Sequence, residues 1–346
     1  MKLIKTQDAV GHVLAHDMTR IIPGVEKGPV FRKGHVVKAE DIPVLLSIGK
    51  ENLYIYEKEE GMLHENEGAA ILYDLCAGSN VYGTDVSEGK IEIKASIDGL
   101  LKIDRKSLMA VNSLGDMMIA SRHGDFPVSK DSKLAGTRVI PLVIAKERMD
   151  LAARLVREDK IFNVMPFKKK KAGIVTTGSE VFHGRIEDRF TPVVIEKIRQ
   201  YGGRLIGHSV CDDDPDRITG AIMDLLGKGA EIVLCTGGMS VDPDDRTPLA
   251  IKNTGAEIIS YGAPVLPGAM FLLAYYGEKR VPIVGLPGCV MYARRTIFDL
   301  ILPRLMADDP VTAEDLQSLG EGGLCLGCDE CTFPDCSFGK GGWSDR

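Results

Sequence analysis

Two apolar runs in the second half of the chain end in the same chemistry, and that repetition constrains the fold more than any other feature. Ala172-Gly-Ile-Val-Thr-Thr177 breaks into Gly178-Ser-Glu180, and Ile232-Val-Leu-Cys-Thr236 breaks into Gly237-Gly238. Short runs rich in β-branched residues suit strands buried on both faces of a parallel sheet, and a glycine just past each permits a tight turn that exposes backbone N–H groups. In open α/β sheets that carboxyl edge is where ligands bind. A plain strand-to-loop turn accounts for either run taken alone. Two such ends on one rim weigh against it.

The intervening chain alternates as a helix-covered parallel sheet requires. Thr191-Pro192 reads as an N-cap with a first-turn proline, and Val194, Ile195 and Ile198 line one helical face before Gly202-Gly203. Arg204–Cys211 is the next strand; Asp214-Pro215 opens a helix carrying Ile218, Ile222, Leu225 and Leu226. Val281–Gly288 is a further strand ending in Pro-Gly, and Met291–Met306 is predicted as one long amphipathic helix.

The Gly237-Gly238 turn can present consecutive N–H groups to phosphate oxygens, with the hydroxyls of Thr236 and Ser240 beside them. Just beyond, Asp242, Asp244 and Asp245 stand ahead of a helix start. Unpaired carboxylates repel phosphate, and Mg²⁺ removes the conflict by bridging the two. Capping or solvation accounts for Asp242 and Asp244. Asp245 is the expected metal ligand.

Four pieces are expected. Residues 1–78 read as a small α/β region, 79–150 as a mostly β module, 170–306 as the α/β domain and 320–346 as a cysteine-rich tail. Lys168–Lys171 reads as a solvated linker at the domain boundary. His12 and His16 stand four apart, but Gly11 and the β-like Val13-Leu14 argue against the helix a ligand pair would need. With 44% apolar residues, 27% charged residues and a net charge of -6, the chain of 346 residues has no basic bias toward nucleic acid or anionic membrane. No run approaches the ~20 apolar residues of a membrane span, and the first residues lack a signal-peptide core, so a cytoplasmic protein is expected.

Of eight cysteines, Cys76, Cys211, Cys235 and Cys289 are scattered in apolar or strand-like surroundings, as single buried thiols are. The others form Cys325-x2-Cys328-x2-Cys331-x4-Cys336, and in a reducing compartment such a run is a metal site more often than a disulfide framework. The short, unbroken spacing resembles iron–sulfur ligation more than a zinc ribbon; zinc and an unmetallated tail remain alternatives. Thr312 and Asp315 have capping-box spacing, and the tail beyond that helix reads as an appendage.

Taken together, Thr177-Gly-Ser-Glu180, Asp213-Asp-Pro215, Thr236-Gly-Gly238, Asp245 with Thr247-Pro248, Pro267-Gly268 and Leu286-Pro-Gly288 resemble, in order and spacing, the molybdopterin-binding domain. That domain is found in molybdopterin adenylyltransferases, molybdopterin molybdotransferases and gephyrin-like proteins. The resemblance implies a three-layer αβα fold with a mostly parallel sheet, preceded here by a β-rich α+β region. It implies that Thr177, Gly178, Ser179, Glu180, Thr236, Gly237, Gly238, Ser240, Pro267, Gly268, Pro287 and Gly288 hold molybdopterin or its adenylate. It further implies that Asp188 and Asp245 are the catalytic acidic positions that handle Mg²⁺.

Where the molybdotransferase pattern has a small polar residue and Asn, a Lys and an Asn, this chain has Arg189-Phe190, Ala269 and Cys289, which favours binding over transfer. The implied role is cofactor biosynthesis, storage or delivery, in a homo-oligomer that meets a molybdoenzyme or assembly partner. Gly237–Thr247 also resembles the acidic loop of the competence-damage-induced family, whose activity would be hydrolysis of a nucleotide pyrophosphate. A cofactor-status sensor or adaptor is the non-enzymatic alternative.

Overall fold

The structure is a computed structural model that describes residues 2–22, 26–55, 60–240 and 246–341. The chain divides into two compact units. The first comprises residues 1–96, 103–122 and 131–163, and the second residues 97–102, 123–130 and 164–346.

In the first unit Lys2–Lys5 pairs antiparallel with Asn52–Ile55, and Met18–Ile22 with Glu26–Phe31. Ala9, Leu14, Met18, Val37, Leu45 and Leu53 form a small core there. A four-stranded sheet runs in the order Val81–Gly83, Lys90–Ala95, Lys133–Val139, Met117–Ser121. Helix Glu65–Cys76 starts from a capping box in which His64 accepts from the Asn66 N–H and Glu67 accepts from the His64 N–H. At Gly68 this helix lies so close to Val139 and Ile144 that an added Cβ would stand 3.1 Å from each. His12 and His16 fall outside any helix.

The second unit is built on a six-stranded sheet. Its strands are β1 (Lys171–Thr177), β2 (Arg204–Cys211), β3 (Ile232–Thr236), β4 (Glu257–Tyr261), β5 (Leu272–Tyr276) and β6 (Val281–Leu286). The spatial order is β2-β1-β3-β6-β5-β4, with β2, β1, β3 and β6 parallel and the last two pairings antiparallel. Strand alternation sorts the side chains to two faces. Ala172, Ile174, Ile232, Leu234, Leu273, Val284 and Leu286 face one core with helices α1 (Phe190–Arg199) and α4 (Ile297–Met306). Val175, Val233, Cys235, Leu272, Ala274 and Ile283 face the other with α2 (Pro215–Gly227) and α3 (Thr247–Asn253). This is the three-layer αβα arrangement expected from the alternation of strands and helices.

Several local expectations fail for identifiable reasons. Lys168–Lys171 is a solvated linker only in part: Lys168 and Lys169 are exposed, but Lys170 is 8% exposed and ion-paired with Asp308, and Lys171 already belongs to β1. Thr191 does not cap α1; Asp188 does, accepting from the N–H groups of Phe190 and Thr191. The predicted helix Met291–Met306 starts only at Ile297, because Thr296 and Asp299 form a capping box there. Nor is α4 amphipathic, since all ten of its residues are buried. Its two charges are paired, Asp299 with Lys197 and Arg295, and Arg304 with Asp309 and Asp315.

The tail is not an appendage either. After α5 (Ala313–Ser318), capped by Thr312 and Asp315, the chain returns to Leu266, whose carbonyl accepts from the Cys325 N–H. Phe338 is 2% exposed within the α1–α4 core, and Cys325, Phe333 and Cys336 pack against that core. Among the described residues no helix is long and apolar enough to cross a membrane.

Candidate functional site

The carboxyl ends of β1 and β3 meet because the strands pair in parallel, with Thr176 opposite Thr236. Their hydroxyls form a buried ladder. Thr236 donates to Thr176 Oγ1 at 3.2 Å, and Thr177 Oγ1 lies 3.1 Å from Thr247 Oγ1 on α3. Thr247 in turn donates to the Gly237 carbonyl at 2.9 Å. These bonds fix the turn after β3 against the turn after β1. Only glycine fits that turn. Gly237 and Gly238 have φ of 86° and 57°, and a Cβ on Gly237 would collide with the Thr177 carbonyl.

The resulting cleft has a volume of 510 Å³, in the range of small-molecule sites. Thr177, Gly178, Glu180, Thr236, Gly237 and Gly238 line it, as does Asp188. Ser179 stands behind the wall, its N–H and hydroxyl both donating to Asp213 Oδ2 at 2.9 and 2.8 Å. Ser240, Pro267, Gly268, Pro287 and Gly288 are not among the described lining residues. Pro267-Gly268 instead packs on the start of α4, where a Cβ on Gly268 would stand 2.5 Å from Ile297. Asp245 lies outside the described residues, with Asp242 and Asp244.

Asp188 is both wall and anchor. Its Oδ1 accepts the two α1 N–H groups, and its Oδ2 accepts the Thr191 hydroxyl at 2.6 Å and the Thr176 hydroxyl at 3.1 Å. Burial works to raise this carboxyl, but the Thr191 hydroxyl, the Thr191 and Phe190 N–H groups and the Thr176 hydroxyl together hold it below the usual carboxylate value. A carboxylate offers about four acceptor sites, so ligating a metal would require these hydroxyls to turn away.

Residues missed from sequence complete the site. His208, in the middle of β2, places Nε2 at 2.9 Å from Thr176 Oγ1 and 3.7 Å from Asp188 Oδ2. Nothing in its local sequence marks it, because only strand pairing brings it to Thr176. Glu187, Asp213 and Met291 also line the cleft. Asp213 was legible in the Asp-Asp-Pro motif; Met291 was hidden by the expectation of a long helix. The described lining holds Glu180, Glu187, Asp188 and Asp213 against one cation, Arg189. The cleft is therefore strongly acidic.

Cys325, Cys328, Cys331 and Cys336 line one second, smaller cavity of 60 Å³ together with Arg294, Arg295, Phe333 and Phe338. Among the described residues no three His, Cys, Asp or Glu side chains stand in metal-holding geometry, here or elsewhere. A hydrogen bond from the Phe333 N–H and another from Arg295 favour the Cys331 thiolate, pulling this thiol below its ordinary value. Cys76 and Cys235, by contrast, are pushed up to about 12 by burial, as inert core thiols are.

A helix-flanked, mostly parallel sheet whose strand ends build a Thr- and Gly-lined cleft is the open α/β architecture in which ligands bind at the carboxyl edge. Residues 173–307 match the family described as probable molybdopterin binding domain. Residues 3–57 match a separate domain of unknown function (DUF8806).

A molybdopterin molybdenumtransferase of Synechococcus elongatus is 24% identical over 176 residues, covering 48% of this chain and 44% of its own. A CinA-like protein of Mycobacterium sp. is 32% identical over 90 residues, covering 26% of this chain and 21% of its own. This chain thus spans less than half the length of these curated relatives. Among solved structures, the tungsten cofactor synthesizing protein MoaB from Pyrococcus furiosus is similar at 23% identity and a TM-score of 0.31, covering 36% of this chain and 84% of that one.

Proposed function

We propose that the strand-end cleft binds molybdopterin or its adenylate and that the protein serves molybdenum or tungsten cofactor biosynthesis, storage or delivery in the cytoplasm. The carrying observation is the cleft itself, framed by Thr177-Gly178 and Thr236-Gly237-Gly238 inside the segment that matches the molybdopterin-binding family. A phosphate-bearing ligand entering a wall of four carboxylates needs a counter-charge beyond Arg189. Mg²⁺ held with Asp245 supplies it, bridging carboxylate and phosphate oxygens. Asp188 anchors that wall, and the molybdopterin transferase activity of related proteins is secondary to binding here. The cysteine tail is a separate metal centre, an iron–sulfur cluster in preference to zinc. A homo-oligomer that hands the pterin to a molybdoenzyme or assembly partner is the setting in which such a protein works.

Mass spectrometry of pterin co-purifying under anaerobic conditions tests the reading, with retention expected to require Mg²⁺. Asp245→Ala should abolish the Mg²⁺-dependent part of retention and leave the fold intact; titrations that match the unsubstituted protein at every Mg²⁺ concentration would remove Asp245 from the site. The similarity to a CinA-like protein supports a second reading, hydrolysis of a nucleotide pyrophosphate at the same cleft. Turnover of such a substrate by protein that carries no pterin would establish that reading and overturn the first. A sensor or adaptor would bind pterin without turning over either substrate.

A further inference from the structure

We propose that His208 is a positioning residue of the strand-end cleft: it is the alternative acceptor that lets the Thr176 hydroxyl turn away from Asp188 when a ligand donor arrives there. This rests on the reading of the cleft as a pterin site. It adds that the Asp188 wall takes an N–H edge of the ring.

As it stands, Asp188 has no acceptor to spare. Its Oδ1 accepts from the N–H groups of Phe190 and Thr191 and its Oδ2 from the hydroxyls of Thr191 and Thr176, so the roughly four acceptor sites of a carboxylate are taken. The first three donors belong to α1, which Asp188 caps, and stay with it. Thr176 stands on β1 and lines the cleft beside Asp188. A ligand N–H or O–H reaches Asp188 by displacing the Thr176 hydroxyl.

That hydroxyl has one hydrogen to give. Thr236 donates to Thr176 Oγ1 at 3.2 Å, which occupies one lone pair. Thr191 spends its own hydrogen on Asp188 at 2.6 Å and presents its oxygen 2.9 Å from Thr176 Oγ1. The Thr176 hydrogen therefore points either into the gap shared by Asp188 and Thr191 or to His208 Nε2, also at 2.9 Å. Each direction requires one form of the ring. With the hydrogen toward Asp188, Nε2 carries a hydrogen of its own and donates to Thr176 Oγ1, because two lone pairs facing at that distance repel. With the hydrogen toward His208, Nε2 is bare and the ring hydrogen sits on Nδ1. The carboxylate charge favours the first arrangement until a ligand hydrogen enters the same gap.

The ring is free to follow. His208 pairs in register with Ile174 on β2, an edge strand, and so lies on the sheet face that Ile174 shares with Thr176. Among the described residues Nδ1 has no hydrogen-bond partner, so the contacts of Nε2 decide the tautomer. The His208 side chain is 29% exposed while Thr176 is 3% exposed, so the ring exchanges its hydrogen with water and the hydroxyl depends on protein acceptors. On ligand entry the Thr176 hydroxyl rotates to Nε2. The ring gives the Nε2 hydrogen to water and takes one at Nδ1, with no change in charge.

The test uses the full chain with 15N-labelled histidine and 6-hydroxymethylpterin phosphate as the probe, the His208 signals being those absent in His208→Gln. Without added pterin the hydrogen is expected on Nε2, and with pterin on Nδ1. His208→Leu should weaken pterin binding by roughly three- to tenfold, as loss of one net hydrogen bond does, with Thr176 left only the crowded oxygen of Thr191. His208→Gln, whose amide reaches the same place and both accepts and donates, should restore most of the affinity. Comparable melting temperatures for the two variants would separate this from a loss of fold. A ring that carries its hydrogen on Nδ1 before pterin is added overturns the proposal whatever binds in the cleft. Pterin bound with the hydrogen still on Nε2, or with equal affinity in His208→Leu, overturns the role of His208 and leaves the pterin reading standing. An unsubstituted protein that does not bind the probe overturns both.

Discussion

Asp188 shows how one side chain can hold the site and the fold together. It accepts both leading N–H groups of α1 and the hydroxyls of Thr191 and Thr176, the latter also touching His208. Replacing it with Ala removes the cap and should cost about 1–2 kcal/mol, read in a denaturant titration. The cost should depend on pH. The folded carboxyl is depressed, so its contribution is full above the ordinary carboxylate value of about 3.9 and is lost as pH falls below that value through the lower folded one. Compared with Asp188→Asn, the stability advantage of the unsubstituted protein should thus vanish in strong acid. A difference that stays constant to pH 2 would contradict the ionised, hydrogen-bonded carboxylate.

At the level of elements, the turn after β3 is where backbone geometry and ligand wall coincide. Gly237→Ala forces a positive φ on an L residue, at roughly 1–2 kcal/mol, and adds a collision with the Thr177 carbonyl. Gly277, in the turn between β5 and β6, has φ of 65° and open space around it, so Gly277→Ala carries the conformational cost alone. The first substitution should therefore lower the melting temperature more than the second and, on the proposed function, also abolish pterin retention. Equal losses for the two would mean that the turns after β1 and β3 are not in contact. The helices on either face were readable from Asp214-Pro215 and from the spacing of Val194 and Ile198, because capping and periodicity are local. The start of α4 was not, because an unbroken run of helix-compatible residues concealed a capping box at Thr296.

For the second unit as a whole, the tail is part of the core. Removing residues 320–346 would uncover the face of the α1–α4 layer that Phe338 covers, and Phe338→Ala alone should cost about 3–5 kcal/mol. A truncated chain that melts at the same temperature as the full one would show that the docking contributes nothing. The physical consequence is that the cysteine cavity shares a packed body with the strand-end cleft. The segment that carries Met291 into the cleft wall carries Arg294 and Arg295 to the cysteines a few residues later.

The sequence by itself determined the sheet-and-helix alternation, the glycine turns at Gly178 and Gly237, and the grouping of four thiols. Each of these is encoded in residues near one another in the chain, where periodicity, capping and turn chemistry act. The tertiary structure alone decided the rest. Parallel pairing brought His208 to Thr176, and burial turned the lysine run at Lys170 into an ion pair. Packing against Phe126 and Leu300 drew the tail into the core and set two arginines beside the cysteines. Those juxtapositions join residues far apart in sequence, and no local pattern records which distant partner will satisfy a buried charge, a hydroxyl or an aromatic ring.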